Sequence, residues 1–92
     1  MAVEVQLPGA LREHAGGERS VTVEGAATVG DVFDRLGASH PALARRIRDE
    51  QGALRRHVNV YVGDTDVRDG DGLATAVHDG DVVLVLPSIA GG

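Results

Sequence analysis

Val3, Val5 and Leu7 alternate with Glu4 and Gln6, the period-two pattern of a strand with one buried face. The alternation returns at Val21 and Val23, set between Ser20, Thr22 and Glu24. Pro8-Gly9 and Gly16-Gly17 bracket the segment between them, which holds Leu11 and His14 and reads as the long loop of an antiparallel hairpin. The period then changes. Val29, Val32, Phe33 and Leu36 fall at i, i+3, i+4 and i+7, a single apolar stripe along a helix. Thr28 is placed to cap its N-terminus, and Asp31 stands in the first turn, where a carboxylate suits the helix dipole. Gly37 is placed to end it. Ser39-His40-Pro41 opens a short second helix with Pro41 at its first position. In that helix Leu43, Ala44 and Ile47 face inward, while Arg45, Arg46 and Arg48 face water.

Residues 49–56 read as a polar loop. Val58, Val60 and Val62 alternate with Asn59 and Tyr61 as a third strand, and Asp66-Val67-Arg68 follows the Gly63-Asp64 turn as a short fourth. After a loop over residues 69–72, Leu73, Thr75 and Val77 lead to a turn at Asp79-Gly80-Asp81. Val82 to Leu86 is an unbroken apolar run, the pattern of a central strand buried on both faces. Pro87 lacks a backbone donor and stops the ladder. A strand that is last in sequence yet central must lie beside other strands, with a helix covering the sheet. The simplest closed arrangement is an α+β fold of the β-grasp type. Its mixed sheet has parallel first and last strands in the middle, with one main helix and a short one. Residues 1–87 form this domain, and residues 88–92 form an extended tail.

Composition narrows the chemistry. The formal net charge of -5 argues against nucleic acid and against anionic membrane surfaces, since both require a basic footprint. All nine basic residues are Arg, so the chain has no lysine to serve as an isopeptide acceptor. Cysteine is absent too, which removes disulfides, thiolate metal sites and cysteine nucleophiles together. No apolar run approaches the length of a membrane span, and the start of the chain lacks the features of a signal peptide, so a cytoplasmic location is expected.

The tail carries the most informative chemistry. Leu86-Pro87-Ser88-Ile89-Ala90 is followed by Gly91-Gly92. Glycine lacks a Cβ, so its backbone can thread passages closed to other residues. A narrow enzyme channel could admit Gly91 and Gly92 and reach the terminal carboxylate, which is ionised at neutral pH and nucleophilic towards a phosphoanhydride. From Leu86 to Gly92 an extended chain spans roughly 20 Å, at about 3.3 Å per residue. The opposing reading is an inert chain end.

Several segments together resemble the ubiquitin-like sulfur-carrier family, which includes the small subunit of molybdopterin synthase and the thiamine-pathway carrier. They are Thr28-Val29-Gly30-Asp31-Val32, Val58-Asn59-Val60-Tyr61-Val62 with Asp64 and Asp66-Val67-Arg68, Asp79-Gly80-Asp81, and Leu86-Pro87 ahead of Ala90-Gly91-Gly92. The stretch from Arg56-His57 to Arg68, Gly72-Leu73-Ala74-Thr75 and the Ala-Gly-Gly ending look most like the cysteine-pathway branch. The resemblance implies a carrier rather than an enzyme. A ubiquitin-activating-like enzyme would use ATP to adenylate the Gly92 carboxylate, and a sulfur donor would displace AMP to leave a thiocarboxylate. A sulfur-accepting synthase would then take the sulfur into cysteine, a molybdopterin precursor, a thiazole or another metabolite. The same implication places Ser88, Ile89, Ala90 and Gly91 in the partner's channel. Leu86, Arg56 and Arg68 are candidate docking residues, although Leu86 also fits the core and the arginines also fit a solvated surface. The carrier itself binds no cofactor and no metal. A protein modifier, joined through Gly92 to lysines of other proteins, shares the activation chemistry and stays open, as does a non-catalytic interaction module.

Other constellations point elsewhere. His14, His40, His57 and His78 have no metal-ligand spacing. Asp64, Asp66, Asp69 and Asp71 suggest a calcium loop, but Arg68 and Asp69 occupy the places that need a ligand and a glycine. Ser20, Ser39 and Ser88 lack the context of a catalytic serine.

Overall fold

The computed structural model describes residues 2–87. Five strands form one sheet: β1 (Ala2–Gln6), β2 (Ser20–Glu24), β3 (Val58–Val62), β4 (Thr65–Asp66) and β5 (Val82–Pro87). Their spatial order is β2-β1-β5-β3-β4. β1 and β5 run parallel with Val5 opposite Val83, and the other pairs are antiparallel. This is the β-grasp arrangement expected from the pattern, with the first and last strands side by side in the middle.

Strand alternation sorts side chains to the two faces of the sheet. Val3, Val5, Val23, Val58, Val60, Val83 and Val85 are buried in one cluster with Val29, Val32, Phe33 and Leu36 of helix α2 (Val29–Ser39). Leu43 and Ile47 of helix α3 (Pro41–Ile47) complete it. Fully burying an aliphatic side chain contributes roughly 1.5–3 kcal/mol. No described helix is long and apolar enough to cross a membrane.

The cap of α2 matches expectation and extends it. Thr28 Oγ1 accepts from the Asp31 amide at 3.1 Å, and Asp31 Oδ2 accepts from the amides of Thr28 at 3.2 Å and Ala27 at 3.1 Å. This is a capping box, in which two otherwise unpaired donors are satisfied reciprocally.

Several expectations are corrected. Gly37 does not end α2, which continues to Ser39. The stop comes from His40, whose position before Pro41 disfavours helical backbone and which adopts φ -135 and ψ 70. The segment between β1 and β2 is not simply loop: it contains a helical turn, α1 (Gly9–Arg12), and a 3₁₀ turn (Glu13–Ala15) that buries Ala15. Only Thr65 and Asp66 pair as β4, because the Asp66 carboxylate accepts from the Arg68 amide at 2.9 Å and turns the chain into a 3₁₀ helix that buries Val67. Leu73 lies in a further 3₁₀ turn (Gly72–Ala74). Arg48 does not face water. Its guanidinium pairs with Asp34 at 2.8 Å and lies 5.8 Å from the centre of the Phe33 ring.

β5 is central but buried on one face only. Val83 and Val85 are fully buried, Val82 and Leu84 are half-buried, and Leu86 is exposed. The second face stays open because its cross-strand neighbours are polar: Gln6 stands opposite Leu84, and Asn59 opposite Leu86. Pro87 is still within the ladder, opposite Val58.

Candidate functional site

The site is the pole of the molecule where β5 ends. β3 begins there, since Val58 is opposite Pro87, and the turn carrying Arg56 and His57 immediately precedes it. Leu86 is the exposed large hydrophobic residue among those described, at 37% exposure, so it is not a core residue. On the adjoining strand Asn59 accepts at Oδ1 from Arg68 Nη1 at 2.9 Å, while Arg68 Nη2 donates to the Arg55 carbonyl oxygen at 2.7 Å. The structure therefore brings Leu86, Arg56 and Arg68 to one end of the sheet. Ser88, Ile89, Ala90, Gly91 and Gly92 lie outside the described residues.

A groove of about 280 Å³ opens beside the end of β5. Leu11, Val85 and Leu86 supply its apolar part, and His14, Arg46 and His57 supply polar groups. It adjoins a second cleft lined by Arg45, Arg46, Arg55 and His57. Arg55 Nε donates to the Arg45 carbonyl oxygen at 2.8 Å, tying the loop before β3 to α3. These residues were not singled out together by the sequence reading. Arg45 and Arg46 look like the solvated side of a helix, and only the fold places them beside Arg55, His57 and the end of β5.

The opposite pole is acidic and structural. Asp79 Oδ1 accepts from the Ala2 amide at 2.8 Å, and Asp81 Oδ2 from the His78 amide at 2.8 Å. The Gly80 amide donates to Ala2 O at 2.8 Å, and the Glu4 amide to Asp81 O at 3.0 Å. Gly80 has φ +85, a backbone region open to glycine and strained for other residues. The Asp79-Gly80-Asp81 turn therefore clamps the start of the parallel β1–β5 pair, about 17 Å from the strand's far end by strand rise.

No group of three or more potential metal ligands is assembled among the described residues. The contact between Ser39 Oγ and His40 Nδ1, at 2.8 Å, joins neighbours at the α2–α3 junction, where Ser39 also donates to Leu36 O. It closes a helix end. What the pole offers chemically is an apolar groove, a set of cationic donors and the point from which residues 88–92 continue.

The chain matches the ThiS family over residues 5–92. It is 47% identical over 94 residues to the sulfur carrier protein CysO of Mycobacterium tuberculosis, covering 100% of both chains. A chain in the crystal structure of the Amycolatopsis orientalis BexX/CysO complex superposes with a TM-score of 0.87 at 43% identity, covering 98% of this chain and 99% of that one. Small archaeal modifier protein 3 of Haloferax volcanii is 42% identical over 94 residues, again covering 100% of both chains.

Proposed function

The chain belongs to the ThiS family, and from that premise we propose that it is a sulfur carrier protein loaded at the Gly92 carboxylate. The observation that carries this reading is that the family match runs through Gly92, beyond a body that closes at Pro87. Residues 88–92 are the tail that enters partner enzymes. The chain is a substrate and carrier in this scheme, not the catalyst.

The chemistry needs two displacements. A Gly92 carboxylate oxygen attacks the α-phosphorus of ATP, pyrophosphate leaves, and an acyl-adenylate forms. Sulfide-level sulfur, as hydrosulfide handed over by the donor, then attacks the acyl carbon, the acyl–phosphate C–O bond breaks, and AMP leaves with the electron pair, giving the thiocarboxylate with no change of oxidation state. Sulfur has no side-chain route, because the chain lacks cysteine. An adenylating enzyme of the ubiquitin-activating type performs the first step with ATP, and a synthase accepts the sulfur for cysteine or another sulfur-containing metabolite. An ATP-dependent exchange fits a cytoplasmic location. Ser88, Ile89, Ala90 and Gly91 occupy the partner's channel, while Leu86, Arg56 and Arg68 meet its entrance.

Deleting Gly92, or adding one residue after it, should abolish sulfur transfer without changing the fold. A persistent extension that remains fully active overturns the reading. The 42% identity to small archaeal modifier protein 3 supports a second reading, conjugation through Gly92 to lysines of other proteins. Higher-mass conjugates that disappear with Gly92 would favour it.

A further inference from the structure

We infer that the cationic pole around Arg45, Arg46 and Arg55 is the docking face for the enzyme that activates the tail. That enzyme would present carboxylates, with an apolar side chain between them, around its channel entrance. This inference rests on the carrier reading above, because only an enzyme that admits residues 88–92 must approach this end of the body.

Charge is the first argument. The chain is acidic overall, at -5, yet Arg45, Arg46, Arg55, Arg56 and Arg68 gather at this pole. Among the described residues none of the five lies within ion-pair distance of a carboxylate; the pair of permanently charged groups found is Asp34–Arg48. Two of the five are held in place by neutral acceptors: Arg55 by the Arg45 carbonyl oxygen, and Arg68 by Asn59 and the Arg55 carbonyl oxygen. Their positive charge is positioned without being neutralised. Glu13, the carboxylate bordering the groove, is turned to His14 Nε2 at 3.6 Å.

Shape is the second argument. The arginine cleft shares Arg46 and His57 with the apolar groove of Leu11, Val85 and Leu86. Together they form an apolar hole with a cationic rim, continuous with the base of the tail at Pro87. A small anion would use the rim and leave the hole empty. A protein edge carrying an apolar knob between acidic residues fills both. Complementary charge at such an entrance steers encounter and fixes orientation, so its effect falls on the association step.

The test uses the full-length chain with the adenylating enzyme purified from the same cells, following the exchange of pyrophosphate into ATP. The double variant Arg45→Glu and Arg46→Glu lies on the exposed side of α3 and keeps the core intact. It should raise the KM for the carrier on the order of tenfold or more with kcat unchanged. Wild-type KM should also rise as salt goes from about 0.1 M to about 1 M, which shortens the screening length from roughly 10 Å to 3 Å. Arg35→Glu, at an exposed site on α2, changes the charge by two units, as Arg46→Glu alone does, and should leave KM unaltered where Arg46→Glu raises it. Equal KM for the double variant and wild type overturns the docking face, as does an equal rise with Arg35→Glu. Tight binding of inorganic phosphate at Arg45, Arg46 and Arg55 by NMR, with no change in KM for the double variant, would instead mark a small-anion site. If the wild-type chain supports no exchange, the carrier reading fails and this inference falls with it.

Discussion

Asn59 holds Arg68 by a 2.9 Å hydrogen bond from the guanidinium to its side-chain oxygen, one strand away from the exposed Leu86. A second bond, 2.7 Å to the Arg55 carbonyl oxygen, ties the same guanidinium to the loop before β3. Two parallel uses of one planar fork are open to Arg and not to Lys. Arg68→Ala should therefore destabilise the domain by about 1 kcal/mol, with Arg68→Lys recovering only part of it. Asn59→Ala, which removes a single bond, should have a smaller effect. Urea unfolding midpoints measure all three, and an Arg68→Ala midpoint equal to wild type would show that the fork contributes nothing.

Gly30 and Gly37 lie in the same helix and should respond oppositely to alanine. A Cβ on Gly30 would stand 3.2 Å from the Leu73 carbonyl oxygen, a backbone atom fixed in a 3₁₀ turn. A Cβ on Gly37 would meet the Ala44 Cβ at 3.5 Å, an ordinary contact. Alanine is favoured over glycine in a helix interior by about 0.5–1 kcal/mol. Gly37→Ala should therefore raise the thermal midpoint. Gly30→Ala should lower it, because crowding against Leu73 exceeds the helix gain. Two shifts of the same sign would contradict the packing assigned to the 3₁₀ turn.

Asp31 couples the cap of α2 to pH. The Ala27 amide hydrogen bond has the largest effect, burial opposes it as the second, and the amide and hydroxyl of Thr28 with the Arg35 guanidinium add to the Ala27 bond, so that the carboxyl is held below the ordinary value of 3.8. A carboxylate whose pKa is lower folded than unfolded binds fewer protons in the folded state. Its contribution to stability is present above the unfolded value and disappears as pH falls through the folded one. The stability difference between wild type and Asp31→Asn should be constant near neutrality and shrink below about pH 4. A difference independent of pH down to about pH 2 would contradict this assignment. Thr28→Ala should lose about 1 kcal/mol at neutral pH through the same cap.

Much of the fold was legible because its signals are local. The alternations at Val3–Leu7 and Val58–Val62 and the stripe from Val29 to Leu36 report which side of each element is buried. The errors came where a distant partner decides. The run from Val82 to Leu86 reads as buried on both faces, yet its last residue, the docking candidate Leu86, is exposed because the opposite face of β5 meets polar neighbours such as Asn59. Arg48 reads as solvated and instead lies over Phe33, 15 residues earlier in the chain. The helix stop assigned to Gly37 belongs to His40 and Pro41, a case of the wrong one of two valid signals. Arg56 and Arg68 were visible as candidate docking residues. Arg45 and Arg46 join them only because α3 is tied to the loop before β3, where Arg55 bonds the Arg45 and Ile47 carbonyl oxygens, which no spacing along the chain reveals.

The central claim is that Gly92 carries sulfur, and the most direct test is intact mass after isolation from the native cell and treatment with a thiol-alkylating reagent. Cysteine is absent, so a single adduct mapped by fragmentation to Gly92 identifies a thiocarboxylate. Alkylation is required because oxidation of Met1 nearly matches an oxygen-to-sulfur exchange in mass. The account predicts one adduct at Gly92, lost when Gly92 is deleted. An unalkylated chain, isolated under conditions that preserve a known thiocarboxylate, would contradict it.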